Sequence, residues 1–156
     1  MACVAQSFNE SINFNLSISP DPLSVRDALE QLDHWLAGFR GDQADRSSTQ
    51  VVMAEVLNNI VEHGSLGPNQ NIRSSISVMS NGIECSVIDE APVYRALANL
   101  SGEPSLTCEA SIQLAEGGYG VFLIQSLVVD IRYIEVERGN HLEFRIPLTT
   151  FSEQIY

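Results

Sequence analysis

Glu55 and Asn59 stand four residues apart in the segment VVMAEVLNNIVEHG, residues 51–64. In a helix, that spacing puts a carboxylate and a carboxamide on one face. A carboxylate can take a proton from an attacking hydroxyl. An amide oxygen can ligate a hard cation without adding charge beside an anionic ligand. Asp89 comes next, at the end of an apolar run, where it can accept a hydrogen bond from an exocyclic amine. Gly117, Gly118 and Gly120 then precede an apolar helix, and backbone N–H groups at such a helix start can approach phosphates. Together these are the parts that hold a magnesium–nucleotide complex. Each also has an ordinary explanation: a solvated helix face, a turn aspartate, a flexible hinge. His63, beside Glu62, reads first as a structural residue at a helix end. The order of the parts along the chain is what favours the joint reading.

The elements that must position them follow from hydrophobic periodicity. Ile12, Phe14, Leu16 and Ile18 alternate with polar residues and predict a strand, ended by Pro20 and Pro22. Leu23, Ala28, Leu29, Leu32, Trp35, Leu36 and Phe39 recur at helical spacing over 23–39. A second helix is expected over roughly 47–63, with Ser47, Ser48 or Thr49 as cap and Val52, Met53, Val56, Leu57 and Ile60 as its apolar stripe. Two strands follow, around 72–78 and 83–88, with a tight-turn pair at Asn81-Gly82. Residues 90–116 hold Pro92, Gly102 and Pro104 and predict a lid with one short helix, Tyr94–Leu100. A helix after Gly120 and two strands, 130–136 and 142–147 joined at Gly139-Asn140, complete the chain. The order β-α-α-β-β-lid-α-β-β predicts an α/β (α+β) two-layer sandwich. Its sheet should be mixed and mainly antiparallel, with the helices on one face.

A length of 156 residues points to one domain, here taken as 1–156. No apolar run approaches the roughly 18 residues of a membrane span, and the start resembles no signal peptide. The net charge is −12, and all eight basic residues are arginine. Such a surface disfavours direct nucleic-acid binding and suits a basic partner, although acidity can also serve solubility alone. Without lysine there is no P-loop. Cys3, Cys85 and Cys108 form no CxxC pair and read as reduced thiols of a cytoplasmic protein rather than zinc ligands.

Several segments together resemble the histidine-kinase-like ATPase superfamily, and most closely its small bacterial anti-sigma factor serine kinases. EVLNNIVEHG (55–64) is similar to the N box of that family and VIDEAP (87–92) to its adenine-binding box. EGGYGVFLIQSLVVDIRY (116–133) is similar to the glycine box with its following helix and strand, and GNHLEFRIPL (139–148) to the closing strand. The resemblance implies the histidine-kinase-like ATPase fold, with ATP and Mg2+ bound under a lid spanning about 90–117. It implies a protein that sequesters a sigma factor and phosphorylates a serine of an anti-sigma factor antagonist, with a homodimer expected. Carried over, Asn59 coordinates magnesium, Glu55 is the general base, Asp89 contacts adenine, and Gly117, Gly118 and Gly120 line the phosphates. The adenine box departs from its D-x-G form at Ala91; an alanine held in a left-handed conformation there would cost about 1 kcal/mol. Arg95 likewise stands where an acidic residue is usual.

Two other functions compete. Ala91 motivates a non-catalytic partner-switching protein, with or without nucleotide. A detached sensor-kinase domain would need a phosphoacceptor histidine, for which His34 is the candidate.

Overall fold

The computed structural model describes residues 12–38, 42–101 and 119–149. Strand β1 (Ile12–Ile18) leads into helices α1 (Pro22–Ala37) and α2 (Gln43–His63). The hairpin β2 (Ile72–Met79) and β3 (Gly82–Asp89) follows, then a single turn α3 (Arg95–Ala98) continued by a 3-10 turn, Asn99–Ser101. Helix α4 (Tyr119–Leu127) and the hairpin β4 (Val129–Val136) and β5 (Gly139–Ile146) come last. The sheet order is β1-β2-β3-β5-β4. Among the described residues all four neighbour pairs are antiparallel, so the mainly antiparallel sheet expected shows no parallel pair there.

Register sorts the side chains by face. Ile76, Cys85 and Phe144 lie side by side across β2, β3 and β5, as do Ile83 and Ile146 and also Val87 and Leu142. All are buried against the helices. Burial pushes the Cys85 thiol well above its ordinary range, so it behaves as a small apolar residue. The opposite face carries Ser75, Ser86, Glu143 and Arg132 in one cross-strand row and Ser77, Glu84 and Arg145 in the next.

Asp21 caps α1, its carboxylate accepting from Ser24 N at 2.9 Å and Ser24 Oγ at 2.6 Å. These bonds from Ser24 hold its carboxyl below the usual range. Val25, Ala28, Leu32 and Leu36 form the buried stripe of α1. Leu23, expected in it, is 71% exposed. Two residues before Val25, it is rotated roughly 200° from that stripe. Helix α2 begins four residues earlier than expected, because Asp42 supplies the cap by accepting from Ala44 N. Thr49, offered as a cap, instead lies inside the helix and donates back to Asp45 O at 2.7 Å. Asp45 Oδ1 accepts from Thr149 N at 3.0 Å and Thr149 Oγ1 at 2.9 Å, tying the end of the last strand to the first turn of α2.

Both hairpin turns fall earlier than expected. Met79 pairs with Gly82, so the β2–β3 loop is Ser80-Asn81 rather than Asn81-Gly82, and Gly82 belongs to β3. Val136 pairs with Gly139, so the β4–β5 loop is Glu137-Arg138, and Gly139 and Asn140 belong to β5. Gly139 has φ +109°, and a Cβ there would overlap Asp89 O and Glu90 Cα. The opening of the expected lid, 90–101, is not a flap. Leu97 and Leu100 are buried in the core. The remainder of that segment, with Gly117 and Gly118, lies outside the described residues, as do Phe39, Cys3 and Cys108.

Leu32 is fully buried, so Leu32→Ala should lower unfolding stability by about 2–5 kcal/mol, whereas Leu23→Ala should change it by less than about 0.5 kcal/mol. Denaturant titration measures both, and equal losses would contradict this packing of α1.

Candidate functional site

Helix α2 buries Val52, Met53, Val56, Leu57 and Ile60. That burial turns Glu55 and Asn59 to the margin of the core, where both are half-buried. Asn59 Nδ2 donates to Glu55 O at 2.7 Å. The donor side of the amide is therefore committed to the helix, and its Oδ1 is the side left for a ligand. The first turn of α4 crosses this point. A Cβ on Gly120 would collide with Glu55 Oε2 and stand 3.7 Å from Asn59 Nδ2. Glycine lets α4 come this close with the Glu55 carboxylate in its present place; a side chain there would push that flexible end aside. Gly120, distant in sequence from both, thus joins Glu55 and Asn59 in one cluster. Among the described residues no group of three or more His, Cys, Asp or Glu could hold a metal ion.

Asp89 does not join that cluster. It closes β3 and is 5% exposed. Its Oδ1 accepts from Ala91 N at 2.8 Å and from Asn140 Nδ2 at 3.0 Å. Burial raises the Asp89 carboxyl above its ordinary range, and the bonds from Asn140 and Ala91 act against that rise. The loop after Asp89 is held at several points. Asn140 Nδ2 also reaches Ala91 O at 2.9 Å, and Tyr94 N donates to Tyr133 Oη at 3.2 Å. Tyr94 stacks on His63 with ring centroids 4.6 Å apart and planes 13° apart. Burial pushes the Tyr94 and Tyr133 phenols up, so both rings stay neutral.

Ala91 does not have the left-handed backbone that its place in the adenine box suggested. Among the described residues the positive-φ ones other than glycine are Ser65 and Asp130. Its methyl group faces Gly64 at the end of α2, where an added Cβ would stand 3.0 Å from Ala91 Cβ. The expected strain is absent, because the loop takes a path open to any residue and α2 ends on a glycine beside it.

Along α2 the stretch from Asn59 to Gly64, about 7–8 Å of helix, lies between the two clusters. A profile of the histidine kinase-like ATPase domain matches residues 18–146. The chain belongs to this family. Membership in an ATPase domain family implies nucleotide binding. A solved structure with the same fold is that of the RsbU and RsbW domains of Rv1364c from Mycobacterium tuberculosis. It superposes with a TM-score of 0.63 at 18% identity, over 88% of this chain and 32% of that one. The present chain thus spans about a third of that protein's length. No curated protein matches the sequence.

His34, exposed on the last turn of α1, belongs to neither cluster. The sequence patterns did not point to Asn140 as a partner of Asp89. One signal was available. Asn140, Leu142, Phe144 and Ile146 alternate, so a polar residue occupies an inward position. Reading Gly139-Asn140 as a turn concealed it.

Gly120→Ala should destabilise by no more than about 1 kcal/mol, because the methyl group meets the free end of the Glu55 side chain, which can move aside. Adding Glu55→Ala should recover most of that loss. Melting curves of the two single variants and the double variant give the coupling, and strictly additive losses would rule out the contact.

Proposed function

We propose that this chain binds magnesium–ATP, transfers the γ-phosphoryl group to a serine of an anti-sigma factor antagonist, and sequesters a sigma factor. The observation that carries the catalytic part is the cluster of Glu55 and Asn59 against the glycine start of α4. The partner assignment rests on the resemblance of the four sequence boxes. The fold shared with the RsbU–RsbW protein of Mycobacterium tuberculosis is consistent with it. The strain at Ala91 that motivated a non-catalytic reading is absent, so no observation now favours that alternative.

In this reading Asn59 would hold a magnesium ion through Oδ1, and the ion would supply charge neutralisation at the phosphates. A single neutral protein ligand fits a cation that completes its shell from phosphate oxygens and water. The first turn of α4 presents backbone N–H groups to the phosphates, and Gly120 keeps that approach open. Asp89 accepts a hydrogen bond from the amine of adenine. Glu55 takes the proton from the attacking serine hydroxyl. As the serine Oγ–phosphorus bond forms, the bond from phosphorus to the β–γ bridging oxygen breaks, and ADP leaves with that electron pair. The chain acts within the cytoplasm as a homodimer, and its acidic surface suits a basic protein partner better than nucleic acid.

Incubation with Mg-ATP and the cognate antagonist, followed by mass spectrometry for phosphoserine, tests the assignment. Glu55→Ala should lower transfer by about 10²–10⁴-fold with little change in ATP affinity, and undiminished transfer would remove Glu55 as the base. Asn59→Ala should weaken binding of Mg-ATP more than binding of metal-free ATP.

Acid should act through Asp89. As pH falls through its raised pKa the carboxylate gains a proton, and an acceptor of the adenine amine becomes a donor. ATP binding should therefore weaken at a higher pH than an ordinary aspartate would dictate. Burial favours the neutral form, so the same protonation adds to folding stability as pH falls. Loss of binding without loss of melting temperature is the expected pattern, and it should vanish in Asp89→Asn.

A further inference from the structure

Helix α4, YGVFLIQSL, carries no charged side chain and is apolar along most of its length. A helix of that composition is expected to be buried all round. Only Ile124 is buried, with Val121 and Leu127 packed half-buried against the core. Tyr119 is 62% exposed, Phe122 53% and Leu123 37%. At about 100° per residue these three fall within roughly 100° of one another and form one outward stripe. Ser126, next on the stripe, donates its hydroxyl to Phe122 O at 2.8 Å, so its polar group is used within the helix. Among the described residues no other helix or strand exposes three large apolar side chains.

The stripe borders the Glu55 cluster. Gly120, where α4 meets Glu55, lies about 60° round the helix from Leu123 and about 100° from Tyr119. Val51, one turn before Glu55 on α2, is 39% exposed. Exposed apolar side chains thus stand on both helices that meet at the carboxylate. A serine that gives its proton to Glu55 must bring its hydroxyl within about 2.6–3.2 Å of it. A protein carrying that serine covers about 800 Å² of surface, a patch roughly 16 Å in radius. Phe122 and Leu123 lie only about 3 and 4.5 Å along the helix axis from Gly120, well inside a patch centred on Glu55. The centres of protein interfaces are apolar and depleted of charge, and the stripe has that composition.

Resting on the serine-kinase reading above, we propose that Tyr119, Phe122 and Leu123 form the docking surface for the acceptor protein, and that this partner carries an uncharged, apolar patch beside its acceptor serine. Phe122 is the anchor, since an aromatic ring offers the most area to bury. The stripe sets how tightly the acceptor is held and not the rate of the transfer step at Glu55.

Phosphoryl transfer from Mg-ATP to the cognate antagonist, measured with the full chain over a range of antagonist concentrations, tests the role of the stripe. Phe122→Gln should raise KM for the antagonist by about tenfold or more, the scale lost when an anchoring interface side chain is truncated, while kcat and ATP affinity change by less than about threefold. Phe122→Leu should restore most of the loss, because the contact needs apolar area. Val136→Gln, which removes a similarly exposed apolar side chain from β4, should leave KM unchanged. The ratio of Phe122→Gln to unaltered KM should be the same at about 0.05 and 0.5 M salt, since a contact without charge is not screened. An unchanged KM in Phe122→Gln, or kcat and ATP affinity falling by the same factor as KM rises, would overturn the docking role and leave transfer standing. So would a melting temperature lowered by more than about 4 °C, which would mean that the chain itself covers Phe122. Loss of a dimer in sedimentation with KM unchanged would give the stripe to a second copy instead. An unaltered protein that transfers nothing to the antagonist would overturn the kinase reading, and this inference with it.

Discussion

The packing of α2 is the constraint on which the remaining geometry depends. Its stripe from Val52 to Ile60 is almost wholly removed from water, and each side chain contributes on the order of 1.5–3 kcal/mol through that burial. Rotating the helix to expose Glu55 more fully would draw those residues out of the core. The rotation of α2 is therefore set by its apolar face, and the polar margin carrying Glu55 and Asn59 is set with it. The same helix reaches both clusters, with Gly120 against Glu55 near its middle and Ala91 and Tyr94 against Gly64 and His63 at its end. A rigid core helix thus fixes how far apart the two clusters stand. A loop in that place would leave the distance free.

Neighbouring constraints act through close approach rather than through strong bonds. Gly64, Gly120 and Gly139 each lie where a methyl group would meet another part of the chain. Around Asp89 the logic is electrostatic. A buried carboxylate is costly unless it is hydrogen-bonded, and the bonds from Ala91 N and Asn140 Nδ2 meet part of that cost. Burial and hydrogen bonding pull its protonation in opposite directions, a balance common where a side chain must respond to a ligand. The outer face of the sheet differs. Its ion pairs, such as Arg132 with Glu143, lie in water and contribute little to stability.

The sequence by itself determined the order of elements, the apolar stripe of α2, the side-by-side placement of Glu55 and Asn59, and the two tight hairpins. These are properties of nearest neighbours along the chain: a period of 3.6 or 2, a cap, a two-residue turn. The errors were also local. Asp42 took the cap instead of Ser47, Ser48 or Thr49, and the hairpins turned at Ser80-Asn81 and Glu137-Arg138 rather than at Asn81-Gly82 and Gly139-Asn140. Only the tertiary structure decided that Gly120 rests on Glu55, that Ala91 lies against Gly64 without left-handed strain, that Leu97 and Leu100 are core rather than lid, and that Asn140 holds Asp89. Each of these joins residues that are distant in sequence. Such meetings are set by how helices and strands pack, and a pattern read along one stretch of chain carries no term for the stretch that comes to lie against it.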